Sequence, residues 1–185
     1  MKKFKTIESN ITAEIEEKRS RFIANMFYVE NVEEAENIIK KIKKQYYDAR
    51  HNCYAYIIKD EQMIKKSSDD GEPSGTAGSP ILNVIEKNKL CNVLIIVTRY
   101  FGGILLGTGG LVRAYTESAS KAVNNASIVE QEEGYELEAV ISYQDAEKFK
   151  YYCSKNSIRI LDVKYEENVK LLIEVNEMEK KNILN

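Results

Sequence analysis

The chain has 185 residues, 43% of them hydrophobic and 30% charged, with a net charge of −2. That balance belongs to a folded protein with room for one ordinary domain and a smaller second one, and it excludes a disordered tail. The longest apolar run, 93–97, is strand-sized and far below the ~20 residues of a membrane span, and the opening MKKFKTIESN has no apolar core behind its lysines, so neither a membrane segment nor a secretory signal is expected and the cytoplasm is the expected location.

In chain order, strand-like segments at 11–15 and 22–29 come first. A helix follows from Asn31, where Asn31 and Glu34 stand at capping-box spacing and Val32, Ala35, Ile38, Ile39, Ile42 and Tyr46 form one apolar face. Lys40, Lys41, Lys43 and Lys44 fall on the rest of that helix, where they read either as a solvated back or as phosphate contacts. Segments 53–58 and 62–68 flank a polar turn at 59–61 and read as a hairpin. A short helix is expected over 81–88 with Pro80 in its first turn, where a missing N–H costs nothing. The run 91–98 is apolar without alternation, which predicts a central strand covered on both faces. A helix over 111–123 turns Leu111, Tyr115, Ala119, Ala122 and Val123 inward.

Residues 1–127 carry a net charge of +3 and residues 128–185 a net of −5, and the acidic, turn-rich stretch NNASIVEQEEG spans their junction. We expect a first domain over 1–127 and a second over 134–185, with strands at 135–143, 158–165 and 169–175 and a helix at 145–156. That β-α-β-β order, followed by the start of a helix, suggests a ferredoxin-like half-sandwich without a closing strand. Cys53, Cys91 and Cys153 are odd in number, widely spaced and set among apolar residues, which reads as buried free thiols rather than a disulfide or zinc framework.

Two glycine-rich loops carry the chemistry. In TRYFGGILLGTGGLVR (98–113) a buried strand ends at Arg99, and Gly102, Gly103, Gly107, Thr108, Gly109 and Gly110 lead into a helix. Unpaired N–H groups at such a helix start, joined by Arg99 and Arg113, are suited to phosphate or carboxylate. The spacing matches neither a Walker loop nor a dinucleotide fingerprint, and tight turning with an Arg113–Glu117 pair is the other reading. In SDDGEPSGTAGSP (68–80), Asp69, Asp70 and Glu72 precede Ser74, Gly75, Thr76, Ala77 and Gly78, and Ser74, Gly75 and Thr76 join the expected anion-binding residues. Those carboxylates read as turn formers or as ion-pair partners of the arginines, with acid–base work or a divalent cation as the alternative, so no metal or cofactor is assigned. His51, the single histidine, has no nucleophile signature beside it and reads as structural or ligand-orienting, and as a catalytic candidate only in an enzyme.

With KRSRFIA (18–24), ARHNCYAY (49–56) and LGTGGLVRAY (106–115), these loops resemble the signature blocks of the IMPACT/YigZ family over most of residues 11–127. The resemblance implies a first domain with the α+β fold of elongation factor G domain IV and RNase PH, a mixed sheet with two packed helices. It implies a second domain of the ferredoxin-like type, shortened here because bacterial relatives continue through a final helix and strand; such a domain is expected to be open-edged or to pair with a partner. Eukaryotic members restrain the kinase that senses amino-acid starvation by binding its ribosome-associated activator, partly through an RWD domain absent from this sequence. The expected function is therefore that of a non-enzymatic binding protein of translation or its stress regulation. Its expected partner is RNA, the ribosome or a translation-associated protein, contacted through an anion-binding cleft between the two loops. The alternatives are an enzyme acting on a phosphorylated or carboxylated small molecule, using Asp69, Asp70, Glu72 or His51 with or without Mg²⁺, and a protein–protein adaptor.

Overall fold

The computed structural model describes residues 3–59, 62–132 and 134–184. The chain falls into two compact units, Phe4–Glu130 and Gln131–Asn185 together with the first three residues. Its elements make it an α+β protein.

In the larger unit, β2 (Ile11–Glu17), β3 (Ser20–Tyr28), β6 (Val93–Tyr100), β4 (His51–Lys59) and β5 (Met63–Ser68) form one sheet in the order β2-β3-β6-β4-β5. The apolar run does become the central strand. Every pairing in this sheet is antiparallel, where the resemblance implied a mixed sheet. Asp60 and Glu61 of the expected β4–β5 turn lie outside the described residues, but the register Lys59↔Met63 is that of a hairpin.

Both sheet faces are covered, which is why β6 does not alternate. Val93, Ile95 and Val97 pack with Phe22, Cys53 and Ala55 under α2 (Gly78–Lys87) and α3 (Gly107–Asn125). Leu94 and Ile96 face the other way, with Tyr54, Tyr56 and Ile58 under α1 (Val32–Gln45). The α1 start is capped as its sequence predicts: Glu34 N–H donates to Asn31 Oδ1 at 2.8 Å, and Glu34 Oε2 accepts from the Glu30 N–H, one residue before the usual position. Lys43, from the lysine-rich back of α1, pairs with Asp70.

The structure revises several boundaries. Arg99 and Tyr100 belong to β6, and Gly107–Gly110 form the first turn of α3, so the second loop shrinks to residues 101–106. Pro80 is the third residue of α2 and still within its first turn. β1 (Lys3–Ile7) and β7 (Ile128–Glu132) pair as a separate two-stranded sheet that the sequence pattern did not reveal. All three cysteines are free and buried. No helix among the described residues is long and apolar enough to cross a membrane.

In the smaller unit, β8 (Gly134–Ile141), α4 (Tyr143–Lys155), β9 (Arg159–Tyr165), β10 (Val169–Asn176) and α5 (Glu177–Leu184) follow one another. Its antiparallel sheet has the order β8-β10-β9. Val169, Leu171, Ile173 and Val175 on the central β10 are buried with Ala146 and Cys153 of α4.

Gly102 fixes the course of the second loop. A Cβ there would stand 2.1 Å from the Arg19 carbonyl carbon at the β2–β3 turn, while a Cβ on Gly109 meets nothing within 4 Å. Gly102→Ala is expected to cost about 3 kcal/mol by urea denaturation. Gly109→Ala is expected to stabilise by about 0.5 kcal/mol, because it removes a glycine from a helix with open space around it.

Candidate functional site

The site grows from one row of the sheet. Phe22, Arg99 and His51 lie opposite one another on β3, β6 and β4, so their side chains share the face that α2 and α3 cover. The Arg99 guanidinium lies 5.6 Å from the rings of both Phe22 and Phe101. Its side chain is only 8% exposed.

The first loop brings the counter-charge. Asp69 folds that loop, its carboxylate accepting N–H donations from Gly75 at 2.8 Å, Ala77 at 3.0 Å and Gly78 at 2.8 Å. Burial alone raises the Asp69 carboxyl pKa, but the three N–H donors outweigh it and hold the group below its ordinary 3.8. Asp70 accepts from the Asn52 N–H at 2.7 Å, and its own carbonyl faces His51 Nδ1 at 2.9 Å. Both aspartates are thus committed to loop architecture, and neither lines the cleft described below. Among the described residues no group of three or more His, Cys, Asp and Glu side chains is arranged to hold a metal ion.

Glu72, two residues on, reaches the sheet row. Its side chain is 3% exposed, and Oε1 accepts from Arg99 Nη1 at 2.7 Å and from the Tyr115 hydroxyl at 2.8 Å. The Cys53 thiol lies 3.3 Å from the Tyr115 oxygen and 3.0 Å from the Asp69 carbonyl. Burial pushes that thiol up to about 12, so it is a packing group and not a nucleophile at neutral pH. Glu72 Oε2 lies 4.0 Å from His51 Nε2, within ion-pair distance of the ring. Because His51 Nδ1 faces a carbonyl, Nδ1 holds the proton in the neutral ring and Nε2 presents a lone pair.

These groups floor a cleft of about 480 Å³ between the two loops. Arg99, Glu72 and His51 form its polar base with Arg50 at the edge; Phe101, Leu105, Leu106 and Leu111 form an apolar wall; Gly107 and Thr108 bring in the first turn of α3. That turn has no side-chain cap and no acidic residue. Arg99 Nε is buried and has no hydrogen-bond partner.

Not every expected residue arrives here. Arg113 points into a different pocket beside Glu17, Lys18, Gly110 and Glu117, away from Arg99. Gly102 and Gly103 do not line the cleft, and Gly102 is needed for its close approach to Arg19. Gly109 is exposed outside the cleft wall, and Ser74 is exposed as well. Gly75 donates its N–H to Asp69, and the Thr76 hydroxyl donates to the Pro73 carbonyl at 2.6 Å. Arg50, Phe101, Leu105 and Leu106 are cleft residues that sequence reasoning passed over. For the leucines, the available signal was the apolar run ILL (104–106) between Gly103 and Gly107, which turning alone does not require.

The Impact N-terminal domain model matches residues 18–123, and a domain of unknown function matches residues 140–184. IMPACT family member YvyE of Bacillus subtilis (strain 168) is 42% identical over 166 residues, covering 90% of this chain and 76% of that protein. IMPACT family member YigZ of Escherichia coli (strain K12) is 40% identical over 115 residues, covering 61% of this chain and 56% of that protein. A crystal structure described as that of a hypothetical protein superposes with a TM-score of 0.75 at 29% identity, covering 98% of this chain and 89% of that one.

The Asp69 contacts set a pH dependence. A carboxyl whose folded pKa is depressed contributes stability that is fully present above the unfolded value and is lost as pH falls through the folded one. Protection of the Gly75, Ala77 and Gly78 amides against hydrogen exchange, corrected for intrinsic rates, is expected to hold at pH 5–7 and to fall away below 3.8. Asp69→Asn is expected to weaken that protection at neutral pH.

Proposed function

The chain belongs to the IMPACT family, and from that premise we propose that it is a cytoplasmic, non-enzymatic binding protein of translation or its regulation, engaging a negatively charged group of its partner in the cleft between β6 and α3. The partner is RNA, the ribosome or a translation-associated protein. One observation carries the reading: Arg99, whose Nε is buried and has no partner among the described residues, lines the same cleft as the uncapped start of α3. A buried N–H left unpaired costs about 1–3 kcal/mol, and a ligand acceptor removes that cost. The α3 dipole adds a preference for negative charge at the same lip. Arg99 is not a free cation, since Glu72 compensates it, so the attraction comes from directed N–H groups more than from net charge.

In the same reading, the domains run over 1–127 and 134–185, the first resembling elongation factor G domain IV and RNase PH. The β8-β10-β9 order with α4 joining β8 to β9 supports a ferredoxin-like second domain. A second reading, an enzyme for a carboxylated or phosphorylated small molecule, is favoured only by His51 Nε2 and Glu72 Oε2 facing each other within the cleft. Asp69 and Asp70, whose carboxylates are held by backbone N–H groups, drop out of it as acids or bases.

Thr108→Asp separates function from folding. A carboxylate in the first turn of α3 is expected to stabilise the fold by about 0.3–1 kcal/mol. The same carboxylate repels an anionic ligand and is expected to weaken sedimentation with purified ribosomes roughly fivefold at low salt, about 1 kcal/mol. Arg113→Ala, outside the cleft, is expected to leave that association unchanged. Equal binding by wild type and Thr108→Asp contradicts the reading.

A further inference from the structure

Resting on the reading of the cleft as an anion receptor, we infer that its occupant is the carboxy-terminal residue of a polypeptide: an α-carboxylate, the N–H beside it and an apolar side chain. Each part of the cleft matches one part of that ligand.

The donors come first. α3 runs for 19 residues from an uncapped first turn without acidic side chains, and Gly107 and Thr108 present that turn to the cleft. Independently, the Arg99 side chain is 8% exposed and lines the same cleft with Nε unpartnered. Backbone N–H groups and a guanidinium edge converging on one cavity take a carboxylate in the manner of terminal-carboxylate capture.

The acceptors come next, and they restrict the anion. Glu72 lies in the cleft wall at 3% exposure, so a doubly charged phosphomonoester would approach a fixed carboxylate. A carboxylate brings one charge. Glu72 Oε2 and His51 Nε2 lie 4.0 Å apart, too far for a hydrogen bond between them, and both residues line the cleft. The N–H of a terminal residue, adjacent to its carboxylate, donates to Glu72 Oε2 just as Glu72 stands adjacent to Arg99. A phosphodiester is also singly charged, but its flanking riboses are polar where this wall is aliphatic and aromatic.

The wall completes the match. Phe101, Leu105, Leu106 and Leu111 line one side, and Phe101 is 45% and Leu105 83% exposed at the mouth. Apolar side chains held open to water at the edge of a polar-floored cavity are covered when an apolar side chain enters. A volume of about 480 Å³ falls within the usual range for small ligands and suits one or two residues, not an extended chain.

The test is calorimetric titration of the full chain with N-acetyl-leucine, its uncharged counterpart N-acetyl-leucinamide, free leucine and inorganic phosphate, followed by a short peptide ending in leucine and the same peptide amidated. The acids are expected to bind at least about tenfold more tightly than the amides, and the peptide more tightly than N-acetyl-leucine. Leu105→Glu, at an exposed position the fold does not depend on, is expected to abolish binding, and Arg113→Ala to leave it intact. Equal binding of acid and amide overturns the inference. Binding of leucine but not of N-acetyl-leucine overturns it in favour of a free amino acid. Binding of phosphate alone overturns it while the anion-receptor reading stands, and binding of no anion removes both.

Discussion

Arg99 and Glu72 meet where water is nearly absent, and the arrangement of the larger unit's functional end depends on that meeting. A buried ion pair contributes little net stability, because removing two charges from water costs about what their attraction returns. Removing one partner is another matter, costing about 3–5 kcal/mol for the charge left behind. The pair therefore acts as a specificity device: Glu72 must lie under Arg99, so the first loop must fold over the end of β6, and Tyr115 must direct its hydroxyl at the same oxygen, so α3 is fixed in rotation above the sheet. The unpaired Arg99 Nε is what this geometry leaves over.

The rest of the unit supports that point. The central strand is covered on both faces, so its end is rigid, and the antiparallel register sets Phe22 and His51 on either side of Arg99. Asp69 organises the first loop from within, and Gly102 lets the second loop press against the β2–β3 turn. These residues do not line the cleft; they position groups that do.

Much of the fold was legible because its signals are local. The unbroken run at 93–97 announces a strand buried on both faces, and Asn31 with Glu34 announces a helix start within four residues. β1 and β7 were not legible: each is five residues long, mixes charge with apolar residues and gains its order from a partner more than a hundred residues away. The site was legible in part. Arg99, Glu72, His51, Gly107 and Thr108 were all candidates and do converge. Arg113 was grouped with them by proximity in sequence, yet helix geometry argues otherwise: Leu111 and Tyr115 face inward, and a residue two positions from each points to the other side. The role of Gly102 was invisible because its contact, Arg19, lies some eighty residues earlier and nothing in a run of glycines says which one is crowded. Composition likewise could not distinguish a loop-building Asp69 from a cleft-lining Glu72, since both are acids in one turn-forming stretch.

The central claim is that Arg99 Nε–H and the first N–H groups of α3 converge on one bound anion. It is tested most directly by following the Arg99 Nε–H resonance and the Gly107, Thr108 and Gly109 amides in a nitrogen–proton correlation spectrum while a carboxylate is titrated in. The account predicts that the Arg99 Nε–H and these amides shift together along one saturating curve, with Arg113 and the β10 amides unmoved. Shifts centred on Arg113 or on the smaller unit, with Arg99 unchanged, would contradict it.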